Sequence, residues 1–177
     1  MILPFSTQMN GKPTYFVERI WEGLLTNNLL HAGASLEATD RRYYEMFGKT
    51  PFNYDLKVKP KLHTIREDKS DRWKVGTKID FFINCRQKDM FRFAPVLKVV
   101  SVQKVEIMWF ECFGKKIVRV FIDDKSFACV NFEKEMIITG NMLELAQKDG
   151  FDTIEDFFAF FDKDYIGKII HWTDLRY

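Results

Sequence analysis

Cysteine, proline and glycine are all scarce in this chain: 3, 5 and 9 residues respectively among 177. Cys85, Cys112 and Cys129 are odd in number, widely spaced and free of any C-x-x-C pair, which argues against a disulfide framework and against a structural zinc site. Their apolar and aromatic neighbours predict buried thiols. The three histidines have no partners at metal-ligand spacing, so neither a metal nor another cofactor is expected. No run approaches the roughly eighteen apolar residues of a membrane span. The opening Met1-Ile2-Leu3-Pro4-Phe5-Ser6 lacks the charged, apolar and small-residue order of a secretory signal. These absences predict a soluble intracellular protein with no membrane partner.

Charge of one sign is lacking too. With 27 Lys and Arg against 25 Asp and Glu, the net of +2 is too small for tight, sequence-independent binding of duplex nucleic acid. The distribution is more informative than the total. Residues 57–78 hold eight bases against three acids, and residues 140–177 hold four against eight. A local positive field suits an anionic or nucleic-acid-like ligand; a solvated lysine-rich face is the plainer alternative.

What the chain has is apolar content, at 46%, and aromatics, at 16%. That is enough to bury the core of one domain. Val17, Ile20, Trp21 and Leu24 fall at helical spacing after Pro13-Thr14, with Asn27-Asn28 as the stop. Residues 31–55 read mostly as loop, with a short helix over 40–47. From Gly76 onward β-branched and aromatic runs predict strands over 78–85, 94–109, 116–122 and 127–138. Turns at 87–89, 113–115 and 122–125 predict antiparallel hairpins curled into a barrel. Asn141 with Glu144, and Asp152 with Glu155, resemble helix-starting capping boxes, and Gly150 reads as a left-handed stop. Ile154, Phe157, Phe158 and Phe161 form an apolar stripe, and residues 167–172 read as a closing strand.

The densest chemistry lies in Lys61-Leu62-His63-Thr64-Ile65-Arg66-Glu67, where an amine, a hydroxyl, a guanidinium and a carboxylate fall within seven residues. Pro60 biases Lys59 toward extended backbone, so the run reads as a bend feeding a short strand. A lysine near apolar surface and other cations is destabilised as an ammonium, which makes Lys61 a candidate base or nucleophile and Thr64 its hydroxyl partner. The plainer reading has Lys61 in solvent, Thr64 as an ordinary strand residue and Arg66 paired with Glu67 or Asp68. Phe47-Gly48-Lys49-Thr50 imitates the end of a phosphate loop, but Tyr43 stands where the earlier glycine belongs, so a nucleotide triphosphatase is rejected. Phe81, Phe82, Phe91 and Phe93 beside Arg86 and Arg92 suit base stacking or, more simply, a phenylalanine-rich core.

Lys61-x-x-Thr64-Ile65-Arg66-Glu67, then Trp73-Lys74-Val75-Gly76-Thr77-Lys78-Ile79, a strand ending near Arg86, and Ala146-x-x-Asp149-Gly150-Phe151 resemble, in that order, the ASCH domain of the PUA-like superfamily. The resemblance spans about residues 56–172. Lys12-Pro13-Thr14-x-Phe16-Val17-Glu18-x-Ile20 and Gly167-Lys168-Ile169-Ile170-His171-Trp172-Thr173 are similar to a longer subgroup encoded by bacteriophages and prophages. The resemblance implies an α+β, PUA-like fold: a mostly antiparallel β-barrel flanked by helices over 56–177, with residues 1–55 as a helical extension packed on it. It also implies a cytoplasmic setting in a bacterial or phage-infected cell, and a cleft for RNA or a modified nucleoside. Some small members are amidohydrolases acting on acetylcytidine through a lysine, a threonine and a glutamate. These carry over to Lys61, Thr64 and Asp149, the last a departure that shortens the carboxylate by one methylene. Lys59, His63, Arg66, Glu67 and Arg86 are the candidate ligand-binding residues. Binding of RNA or a nucleoside is the leading expectation, amidohydrolysis the second, and binding of a host protein through residues 1–55 the third.

Overall fold

The computed structural model describes residues 1–9, 11–30, 35–50, 56–132 and 141–177. The first half runs β1 (Ile2–Pro4), β2 (Gln8–Met9), β3 (Lys12–Pro13), α1 (Phe16–Thr26), α2 (Leu36–Phe47), β4 (His63–Arg66) and β5 (Lys78–Ile83). It continues through β6 (Phe91–Arg92), β7 (Leu97–Lys98), β8 (Ser101–Cys112), β9 (Lys115–Ile122), β10 (Lys125–Asn131), α3 (Met142–Lys148), α4 (Ile154–Phe160) and β11 (Tyr165–His171). The class is α+β, and most strand pairs are antiparallel. In one sheet β1 runs parallel to β5, and β6 and β7 pair antiparallel with β5. A five-stranded sheet has the order β10-β9-β8-β11-β4, and β2-β3 is a separate small hairpin.

The β8-β9-β10 meander forms because alternating apolar runs meet at two-residue turns. Phe113-Gly114 and Asp123-Asp124 all have positive φ, between 49° and 71°, the turn geometry whose twist matches that of the flanking strands. The barrel expected from the sequence is not formed: among the described residues each sheet stays open. The reason lies in residues 94–109, which the apolar pattern reads as one strand. The chain breaks at Val99-Val100, where the Val99 N–H donates to Thr77 of the first sheet and the Val100 N–H donates to His171 of the second. A strand that changes sheets cannot continue the hydrogen-bond ladder needed for closure.

Period-two alternation along β11 joins two apolar clusters. Ile169 faces Val105, Ile107, Phe157 and Phe161, whereas Ile170 belongs with Leu3, Trp21, Phe81, Phe93 and Trp172. Helix α1 supplies Ile20, Trp21 and Leu24 to the latter, and the Trp21 indole N–H donates 2.7 Å to the Phe93 carbonyl. The Ile154, Phe157, Phe158 and Phe161 stripe is fully interior, each side chain contributing on the order of 1.5–3 kcal/mol by its burial.

Local starts and stops differ from expectation in instructive places. Helix α2 begins at Leu36 rather than near Asp40, because Ser35 caps it by accepting the Ala38 N–H at 3.0 Å. Gly48 ends it in the left-handed region, which accounts for the phosphate-loop imitation. Helix α4 is capped by Thr153, which accepts the Asp156 N–H, and not by Asp152. Asn141 makes no capping bond; its amide donates to Glu144 instead. All three cysteines are half-buried and free rather than fully enclosed. The expected strand over 127–138 starts earlier, as β10 from Lys125, and its segment beyond residue 132 lies outside the described residues. Among the described residues no helix is long and apolar enough to cross a membrane.

Candidate functional site

The bend after Pro60 is clamped between two helices. The Lys61 N–H donates 2.9 Å to the Arg19 carbonyl of α1, and the Leu62 N–H donates 2.9 Å to the Lys148 carbonyl at the end of α3. Such closeness needs a glycine on the helix: a Cβ at Gly23 would lie 2.8 Å from the Lys61 carbonyl oxygen and 2.9 Å from Leu62 Cδ2. The clamp turns the Lys61 side chain inward, toward the C-terminus of α3.

There Lys61 Nζ meets the Asp149 carboxylate at 2.9 Å and also donates to the Asp149 backbone carbonyl. The ammonium thereby caps orphan acceptors at a helix C-terminus, where positive charge is favoured. Asp149 Oδ1 accepts the Ile65 N–H of β4 at 3.0 Å, and His63 Nδ1 stands 3.5 Å away, at the edge of hydrogen-bond reach. His63 Nε2 bonds Tyr177 Oη at 2.9 Å, and the His171 ring packs 5.2 Å from that of His63. On the opposite side the Phe16 ring lies 4.9 Å and the Phe5 ring 5.9 Å from Lys61 Nζ. Lys61 is 1% exposed, Asp149 4% and His63 0%. The solvated lysine of the plainer reading is therefore replaced by an enclosed ion pair.

Enclosure shifts every titration in the cluster. Burial pushes the Lys61 ammonium down from 10.5 to about 8, against the opposing pull of the Asp149 charge and hydrogen bond. Burial acts to raise the Asp149 carboxyl, but the Lys61 charge and the His63 ring overcome it and hold it below its ordinary value. His63 is lowered by burial more than Asp149 raises it, and His171 is pushed down to about 3 by burial and by His63. At neutral pH the two imidazoles are neutral and the carboxylate is ionised. Lys61, at about 8, titrates within reach of physiological pH.

The remaining sequence candidates separate. Thr64 is 3% exposed; it pairs with Ile170 and takes no part in the cluster's hydrogen bonds among the described residues. Arg66 does not pair with Glu67 or Asp68: its guanidinium lies 5.3 Å over the Phe5 ring and donates 2.7 Å to the Pro4 carbonyl. Glu67 points elsewhere, pairing with Lys69 at 3.1 Å. Lys59 is exposed ahead of the bend, and Arg86 is exposed in the turn after β5 at φ +67°. Phe81, Phe91 and Phe93 are core, which removes three of the four proposed stacking rings.

Two clefts bear on the sequence candidates, and one of them adjoins the cluster. The larger, about 660 Å³, is lined by the segment after β4 and by β8 and β11, including Glu67, Asp68, Lys104, Tyr165 and Lys168. Its charges are mutually satisfied: Lys168 bonds Asp68 at 3.0 Å as well as Asp71, and Lys104 bonds Asp124 at 2.5 Å. The other, about 440 Å³, lies between the start of α1 and the α3–α4 connection, lined by Lys12, Tyr15, Phe16, Arg19, Phe151, Asp152, Phe160 and neighbours. Gly150, at φ +97°, joins this cleft to the ion pair: a Cβ there would come 2.7 Å from Phe16 Cε1 and 3.2 Å from Lys61 Cδ. Phe5, Phe16, Arg19, His171 and Tyr177 were not singled out in the sequence as site residues. No local spacing marks them, since each reaches the cluster or cleft only through the fold.

No protein-family model matches the chain, and no curated protein or solved structure matches it either.

Proposed function

We propose that the protein binds a nucleoside, or the end of an RNA strand, in the 440 Å³ cleft beside Gly150, as an ASCH-like binding module. The observation that carries this reading is the wall composition. Tyr15, Phe16, Phe151 and Phe160 offer aromatic faces, and Lys12, Arg19 and Asp152 offer polar heads around a volume that suits one base and its sugar. Phe160 is 50% exposed and Tyr15 38%, so ring area stands open for stacking at the mouth. The Lys61–Asp149 pair, part of the motifs that resemble the ASCH domain, adjoins this cleft at Gly150. Titration of nucleosides and short single-stranded RNAs by calorimetry tests the proposal. Binding that weakens about fivefold or more in Phe160→Ala is expected, on the worth of one base–aromatic stack. Absence of binding by every nucleoside and RNA tried removes it.

A second reading, amidohydrolysis of an acylated nucleoside such as acetylcytidine, is favoured by one observation, the Lys61 amine held near 8 beside Asp149. In that reaction the free amine takes a proton from water as the oxygen attacks the acyl carbon, and the proton goes to the departing amine. Acetate and cytidine are the products. Binding ranks ahead of turnover because Lys61 is 1% exposed and sits behind the Phe16 ring, so the chemistry requires that ring to move. Turnover of acetylcytidine above a Lys61→Ala control supports the second reading, and equal rates eliminate it.

A further inference from the structure

Arg19 is the anomaly of the cleft. It is 4% exposed, and its Nη2 donates 2.8 Å to each oxygen of Asp152, yet its Nε and Nη1 are buried and meet no acceptor among the described residues. A buried guanidinium with N–H groups left over is costly, because those donors gave up water for nothing. The Arg19 carbonyl receives the Lys61 N–H, which fixes that turn of α1, and Asp152 anchors its far nitrogen. Arg19 lines a cavity whose walls carry aromatic rings, and its two unsatisfied nitrogens lie covered beside it.

We infer that Arg19 is a specificity residue which donates from Nη1 to a carbonyl oxygen of a neutral heteroaromatic ring, so that the cleft selects carbonyl-bearing nucleobases. This deepens the binding reading above and rests on it. Charge selects a neutral group over a phosphate: the charged residues of the cleft are Lys12 and Arg19 against Asp152 and Asp156, which cancel. Chemistry selects the carbonyl, since guanidinium N–H groups can only donate and need an acceptor oxygen or nitrogen. Asp152, whose side chain is 64% exposed, retains lone pairs for a ring N–H beside that carbonyl, as guanine and uracil present. Adenine has no carbonyl and leaves the guanidinium as poorly satisfied as in the free protein. The two nitrogens are closed to bulk water, so the base reaches Nη1 only when the group covering it moves aside.

The test is calorimetric titration of guanosine, uridine, adenosine and inorganic phosphate into the wild type, Arg19→Gln and Phe160→Ala. Guanosine and uridine are expected to bind at least about tenfold more tightly than adenosine, as for a site whose polar groups go unpaired with the wrong ligand. Arg19→Gln is expected to abolish most of that ratio. A ratio of affinities does not depend on how much of the variant folds, so partial misfolding leaves the result readable. Equal affinity for adenosine, an unchanged ratio in Arg19→Gln, or competition by inorganic phosphate overturns the assignment. If nucleosides bind through Phe160 without base preference, the Arg19 assignment alone falls; if none binds, the cleft reading falls with it.

Discussion

Replacing Lys61 by Met keeps the volume of the side-chain stem but leaves Asp149 as a buried carboxylate facing, among the described residues, the Ile65 N–H and the His63 ring. Removing one partner of a buried pair typically costs about 3–5 kcal/mol, and that is the expected loss. Asp149→Asn strands the ammonium instead. Lysine escapes by losing its proton, which from an ordinary value of 10.5 costs at most about 5 kcal/mol at pH 7, and the expected loss lies below that ceiling. The double variant Lys61→Met with Asp149→Asn carries neither charge, so it is expected to be less destabilised than the two singles summed, by about 2 kcal/mol or more. Urea unfolding of all four proteins with a common slope measures the coupling. Additivity within about 0.5 kcal/mol would refute the claim that these two groups, 88 residues apart in sequence, form one energetic unit.

Gly150→Ala must hold a left-handed backbone and place its methyl 2.7 Å from the Phe16 ring, so a loss of about 2–5 kcal/mol is expected in the same assay; a loss under about 0.5 would contradict the close approach. Asp68→Ala orphans the Arg72 and Trp73 N–H groups and one contact of Lys168, for an expected cost of about 2–4 kcal/mol and a lower thermal midpoint. The Asp68 carboxyl is held at about 2 because two backbone N–H bonds and Lys168 outweigh the effect of burial. Its contribution is therefore present above 3.8 and lost as pH falls toward 2, and Asp68→Ala should lack that acid limb. Lys61 has the same pH sense in a higher window, although its shift costs stability at neutral pH where that of Asp68 contributes it. Its folded value, about 8, lies below 10.5, so between those pH values the unfolded chain binds more protons and stability rises with pH. The rise is bounded at about 3 kcal/mol and should vanish in Lys61→Met, which stability curves from pH 7 to 11 would show.

Much of the secondary structure was legible because its signals are local. The spacing of Val17, Ile20, Trp21 and Leu24, the stripe of Ile154, Phe157, Phe158 and Phe161, and the alternation of β8 and β9 each need only neighbouring residues to be read. Cap chemistry was legible less evenly. Asp152 has the composition of a helix start, yet it is drawn to Arg19, 133 residues away in sequence, and Thr153 takes the role instead. The switch at Val99-Val100 left no mark, since an apolar run reads the same whether it feeds one sheet or two. The parallel pairing of β1 with β5 was equally silent, because a three-residue strand carries almost no periodicity.

Adjacent residues alone showed that an amine, a hydroxyl, a guanidinium and carboxylates lie near one bend, and which longer segments become helix or strand. The folded arrangement is what encloses Lys61, leaves Thr64 without a hydrogen bond to the ion pair among the described residues, and buries Arg19 with donors to spare. Side-chain periodicity is a property of adjacent residues. Burial and pairing depend on which distant backbone segments the two sheets and α1 press against each other, and so on chain reversals that no short stretch encodes.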